Sequence, residues 1–332
     1  MAMPARPFTA DDFRPHPLLR SGHMMTLFPR LWPRPDALEG VPVAERLFSV
    51  ETDTQVLGAC SWQPEPRQHR TLLVIHGLEG CHESHYMEAM AGKGWRAGLN
   101  VVRLNQRTCG GTERLTPTLY HSGLSGDLRA VVTELMEKDG LQDIWIAGFS
   151  MGGQLAMKMA GEVGTSLPSL RGVFAVCPNL DLPAVIVALE RPANRFYQDH
   201  FLRKLKERIR RKAQMHPHRY DTATLNRITS IRAFDHLYTA PAFGFASAED
   251  YYGRVGASHV VHEIRVPTVI LTAQDDPIIP FPSFQIDAIR QNPAIRLVAP
   301  RHGGHCGFIQ RANGTEDRFW AENRIIDSVR AA

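Results

Sequence analysis

Residues 144–153 read IWIAGFSMGG, an apolar run that ends in a serine set between Gly148 and Gly152. Ile144, Trp145 and Ile146 favour a strand. The stretch just beyond, QLAMKMAGEVG at 154–164, is rich in helix formers. The chain therefore passes from strand to helix through Ser150, in the pattern G-x-S-x-G. A sharp turn of this kind holds its central residue in a strained backbone conformation and exposes the hydroxyl. Small residues two before and two after it let neighbouring segments come close. The helix that follows points its N-terminus at the serine, where the Met151 amide can stabilise an oxyanion. An ordinary tight turn could carry the same letters, so the rest of the chain must decide.

Strand-like runs precede this point at 44–50, 53–62, 71–77 (TLLVIHG) and 100–105, with helices expected near 84–97 and 126–138. After it come GVFAVCP at 172–178, TVILTAQ at 268–274, a helix near 283–290, RLVAP at 296–300 and a closing helix near 316–329. Repeated strand–helix alternation with continuously apolar strands predicts an α/β architecture, a mostly parallel sheet with helices on both faces. The expected organisation is an N-terminal arm over 1–40 and a core over 41–180 and 263–332. A helical cap insertion over 181–262 would shape and gate a pocket.

The 332 residues are 43% apolar and 22% charged, the balance of a globular chain with a large core. A net charge of +4 is too small at this length to mark a nucleic-acid binder. Cys60, Cys81, Cys109, Cys177 and Cys306 lack CxxC spacing, which points to reduced thiols in the cytoplasm rather than disulfides or a zinc site. The N-terminal stretch has no apolar signal-peptide core, and LPAVIVALE at 182–190 is too short for a membrane span.

A serine hydroxyl needs a base, and the base an orienting acid, in the chain order serine, acid, histidine for this architecture. The partners should follow later strand ends, where sites in such sheets gather. TVILTAQDDPIIP places Asp276 there, with Asp275 as runner-up; both could simply cap a turn. Asp181, after the preceding strand, is a third candidate. RHGGHCGF at 301–308 offers His305 among glycines, with His302 as its rival. VIHGLEG at 74–80 ends a strand at His76-Gly77, so the Leu78 amide can join that of Met151 in an oxyanion hole.

The sequence resembles the α/β-hydrolase fold family that includes YheT-type esterases and ABHD1/ABHD3-type hydrolases. The likeness is carried by HGLEGCHESHYMEAMAGKGW (76–95), LNQRTCGGTERLTPTLYHSG (104–123), GFSMGG (148–153), DDPIIP (275–280), GGHCGF (303–308) and HPLLRSGHMMTLFP (16–29). It implies a Ser150–His305–Asp276 triad that cleaves carboxylic esters, acyl or lipid-like, through an acyl-enzyme without metal or organic cofactor. Met25 stands where the family usually has Gln, Thr108 where it has Gly, and Cys81 where it has Ser.

An alcohol acyltransferase would use the same groups, and a non-catalytic ligand-binding scaffold is a further alternative. A hydride-transfer enzyme has no support, because no GxGxxG is present. The expected partner is a small-molecule ester or lipid; no protein partner is implied. The basic run RKLKERIRRK (203–212) offers a weak membrane-surface contact. The favoured reading is a solvated helix face with Glu207 interleaved. His23 is read as an anchor for the arm.

Overall fold

The computed structural model describes residues 7–34 and 36–332; the first six residues of the expected arm, and Pro35, lie outside the described residues. A hairpin of β1 (Ala44–Glu51) and β2 (Thr54–Ser61) opens the sheet. It continues with β3 (Thr71–Ile75), β4 (Asn100–Leu104), β5 (Ile144–Phe149), β6 (Leu170–Val176), β7 (Thr268–Leu271) and β8 (Ile295–Val298). The strand order is 1-2-4-3-5-6-7-8. β1–β2 and β2–β4 pair antiparallel, and all other neighbours are parallel.

Successive strand side chains point to opposite faces. Leu72 and Val74 of β3 pack with Met87 and Met90 of one helix, α2 (His85–Arg96), and with Ile325 and Val329 of the C-terminal helix Trp320–Ala331. Leu73 and Ile75 face the other way, onto Val131 and Leu135 of α3 (Ser125–Glu137) and Leu155 and Met159 of α4 (Met151–Val163). Strands buried on both faces need apolar residues at every position, which is why these runs do not alternate in polarity.

Between β6 and β7 the chain leaves the sheet to form α5 (Leu182–Leu189), α6 (Arg195–Met215) and a short helix Ala248–Val255. These lie over the carboxyl ends of the strands. In the arm, Phe8 and Phe13 pack their rings against Trp320, and α1 (Gly22–Leu27) reaches the loop after β8. Among the described residues no helix is long and apolar enough to cross a membrane.

Three expectations change. The segment near 283–290 is a 3₁₀ turn, Phe281–Phe284, followed by a four-residue helix, Asp287–Arg290. Phe284 and Ile289 are both buried. Five positions apart on one helix they would point about 140° away from each other, so the chain breaks at Ile286 to bury both. The closing helix starts at Trp320 rather than near 316, because Asn313 and Asp317 spend their side chains on local backbone N–H groups. The basic run is not simply a solvated face: Arg208 and Lys212 are buried, in one stripe with Leu205 and Ile209, while Arg203 and Arg210 are exposed. Lys212 donates to the carbonyl oxygens of Glu113 and Thr116, and burial lowers its pKa to about 8.

Candidate active site

Ser150 follows the last residue of β5 with φ +54° and ψ −119°, a conformation rare for any residue but glycine. Its N–H donates to the Val176 carbonyl at 2.7 Å, and its own carbonyl accepts from Gln154 at 3.1 Å. A Cβ on Gly148 would lie 2.3 Å from the Gly152 carbonyl oxygen. One on Gly152 would lie 2.4 Å from that of Ile75. Both glycines are therefore demanded by close backbone approach, and α4 starts at Met151, earlier than its helix-former run begins.

β3 lies between β4 and β5, so the chain turns one way after β3 and returns on its other side. The crevice beyond the carboxyl ends at such a switch point is where ligands bind in open α/β sheets. Leu78, just past β3, and Ser150, just past β5, flank it.

His305 approaches from the loop after β8. Its Nε2 lies 3.0 Å from Ser150 Oγ and its Nδ1 2.8 Å from Asp276 Oδ2. Asp276 Oδ1 accepts from the N–H groups of Ile278 and Ile279 at 2.8 and 3.0 Å, so the carboxylate is aimed and held. Its side chain is wholly buried. Donation from Nδ1 to Asp276 leaves the Nε2 lone pair facing the serine hydroxyl. Burial works against a charged imidazole here, but the Asp276 carboxylate outweighs it and raises the His305 pKa above its ordinary range.

The other acids and the other histidine fall elsewhere. Asp275 pairs with His302 Nδ1 at 3.1 Å and accepts from Gly304 N–H at 2.9 Å. Asp181 caps α5 by accepting from the Ala184 N–H at 3.1 Å.

The N–H groups of Leu78 and Met151 have no partner among the described residues. Both residues line one cavity of about 80 Å³ with Ser150 and His305. Leu182, Val185, Ile186 and Leu189 of α5 and Phe201 and Leu205 of α6 make its wall apolar. Asn179 and Asp235 are among its polar lining residues, with His121, Ser122 and Thr239. The Asn179 Oδ1 is buried with no hydrogen-bond partner among the described residues. Burial pushes the Asp235 carboxyl up to about 6, against the hydroxyl donors of Thr239 and Tyr252.

Spacing alone does not reveal several neighbours of this site. Cys177 and Cys306 come together beside His305, with ligand atoms of all three within 4.8 Å. Cys177 is fully buried, and burial raises its thiol pKa far up, so it is a packed neutral thiol. Thr26 Oγ1, from the arm, accepts from the His305 N–H at 2.8 Å across 279 residues of sequence. It lies within the quoted arm segment, which marks the region but not the contact. His23 meets Tyr197 of α6 through a 3.1 Å hydrogen bond and a stacked ring pair, tying the arm to the cap.

A largely parallel sheet with an elbow serine at its switch point defines an α/β-hydrolase. The alpha/beta hydrolase fold family model matches residues 70–312, and the chain belongs to that family. The Escherichia coli (strain K12) protein named "Putative esterase YheT" is 32% identical over 96% of this chain and 93% of its own length. Phospholipase ABHD3 of Mus musculus is 30% identical over 72% of this chain, and the match spans 58% of the mouse protein. Monoacylglycerol lipase of Saccharomyces cerevisiae is 29% identical over 76% of this chain, and the match spans 57% of the yeast protein. Among solved structures, the Pyrococcus furiosus esterase Pf2001 superposes with a TM-score of 0.56 at 14% identity, covering 90% of this chain and 95% of its own. A bacterial membrane phospholipase A does so at 0.55 and 18%, covering 90% and 89%. These two share the fold.

Proposed function

We propose that this carboxylic ester hydrolase cleaves its substrate through an acyl-enzyme formed on Ser150. The Ser150–His305–Asp276 hydrogen-bond chain, at 3.0 and 2.8 Å, is the observation that carries the reading. Ser150 Oγ attacks the ester carbonyl while His305 Nε2 takes its proton. The carbonyl oxygen becomes an oxyanion held by the Leu78 and Met151 N–H groups. Collapse of the tetrahedral adduct expels the alcohol, which leaves with the proton from His305. Water then gives its proton to His305 and attacks the acyl carbonyl, and Ser150 recovers its hydrogen as the acid departs. Asp276 stays ionised throughout, orients the ring and stabilises the imidazolium.

The substrate class is a small-molecule ester with an apolar acyl group, supported by the aliphatic wall that α5 lends the cavity. Relatives named esterase, phospholipase and monoacylglycerol lipase agree with an acyl or lipid-like ester.

The test is a fluorophosphonate probe with intact-mass readout, followed by p-nitrophenyl esters of rising chain length. One adduct is expected on the wild type and none on Ser150→Ala, whose kcat falls on the order of 10⁴-fold or more. No adduct on folded wild-type protein would overturn the mechanism. Acyl transfer to added alcohol, outpacing release of free acid, would reassign the second half-reaction to an acyltransferase.

A further inference from the structure

We infer that Arg208, on the cap helix α6, is a positioning residue for the oxyanion turn and acts through Glu79; this rests on the reading of the Leu78 amide as an oxyanion donor. The turn over 77–80 is closed by the Gly80 N–H donating to the Gly77 carbonyl at 3.1 Å. Its third residue, Glu79, has φ +57°. That is the type II pattern, whose third position suits glycine. A glutamate persists there only where its surroundings over-determine it.

Every polar group of Glu79 is held. Its N–H donates to the Tyr120 hydroxyl at 2.9 Å, and that hydroxyl donates back to Glu79 Oε1 at 3.0 Å. Oε2 pairs with Arg208 Nη2 at 2.8 Å, both side chains being 4% exposed. The Glu79 carbonyl accepts from Lys204 Nζ at 3.1 Å. Two of these four contacts come from α6. Arg208 is fixed in turn: its guanidinium lies 4.3 Å from the centre of the Tyr120 ring and donates to the Arg107 carbonyl and the Thr108 hydroxyl.

These contacts act next to the proposed donor. The peptide after Leu78 is aimed by the Glu79 N–H bond to Tyr120, and the Gly77 N–H is held by the Tyr86 hydroxyl at 3.0 Å. Leu78 is thus clamped on both sides, and its own N–H is left for the oxyanion. An oxyanion donor works by being fixed before charge develops. A glycine in place of Glu79 would make the turn without strain but would lose the tie to the cap. The buried part of the basic run therefore completes the site from above, and the turn reaches its working geometry only with α6 seated.

The test uses Glu79→Gln and Tyr120→Phe in the full chain, with Arg208→Lys beside Arg208→Ala. Four readouts are needed: kcat, KM, the acid limb of the pH profile, and affinity for an alkyl trifluoromethyl ketone, which adds Ser150 to form an oxyanion. The expected result is a roughly 10–100-fold fall in kcat with KM changed less than about threefold. Ketone affinity should fall by the same factor as kcat/KM, the acid limb should stay in place, and Arg208→Lys should recover part of what Arg208→Ala loses. Tyr120→Phe removes only a hydroxyl and carries the test if the Arg208 variants fail to fold. Unchanged kcat in folded variants, a rise in KM alone, or lost kcat with ketone affinity intact would overturn the inference. Wild-type protein that forms no fluorophosphonate adduct would instead sink the acyl-enzyme reading, and this inference with it.

Discussion

At the scale of single residues, Asp276 and Asp275 are chain neighbours with opposite assignments. Asp276 turns inward to His305, while Asp275 braces the same loop through Gly304 and His302. The sign of the pH effect follows from Asp276. Its carboxylate raises the His305 pKa, and the proposed general base works only when neutral, so activity should be lost as pH falls through that raised value. By linkage, the imidazolium–carboxylate pair stabilises the fold fully below the ordinary histidine pKa and is lost as pH rises through the folded one. In Asp276→Asn the acid limb of kcat/KM should move to lower pH, and kcat should fall on the order of 10⁴-fold. A limb that stays in place would show that another group titrates. The sequence put Asp276 ahead of Asp275 and His305 ahead of His302 by position and resemblance, but the local pattern left each rival open. Both aspartates share one local signal, and only the direction of each side chain separates them.

At the scale of elements, the strand–turn–helix unit from β5 to α4 is tightly constrained. The backbone of β3 comes so near α4 that a methyl group on Gly152 would sit 2.4 Å from the Ile75 carbonyl oxygen. Gly152→Ala should destabilise the protein by about 2 kcal/mol or more, read as a lower urea midpoint at unchanged slope. An unchanged midpoint would mean that β3 and α4 separate freely. Most elements were legible because their periodicity is local. The segment after β7 was not: its break at Ile286 answers the demand to bury both Phe284 and Ile289. The buried stripe of α6 was half legible, since Leu205, Ile209 and Lys212 keep helical spacing. A lysine on that stripe reads as solvated unless its distant carbonyl partners are known.

At the scale of the whole molecule, three segments far apart in sequence meet over the sheet ends: the arm, the cap and the loop after β8. The arm reaches beneath His305, where Thr26 accepts its N–H and donates to the Gly22 carbonyl at 2.6 Å. A Cβ on Gly304 would lie 2.5 Å from that same Gly22 carbonyl oxygen, so the arm and the loop fit with no room to spare. Thr26→Val keeps the shape and removes the acceptor, leaving a part-buried N–H unpaired at a cost of about 1–3 kcal/mol. We expect kcat to drop about tenfold with little change in KM, measured on the best p-nitrophenyl ester. Unaltered kcat would make the arm a cover for the core and nothing more. The sequence by itself determined the strand–helix alternation, the serine's turn and the chain order of serine, acid and histidine, because periodicity, turn chemistry and order are properties of short segments. Only the tertiary structure shows the hydrogen bonds that join the proposed site residues, the hold of the arm on His305 and the burial of Arg208 against Glu79. Direction and burial of a polar side chain depend on partners brought near by the fold, and no local pattern encodes them.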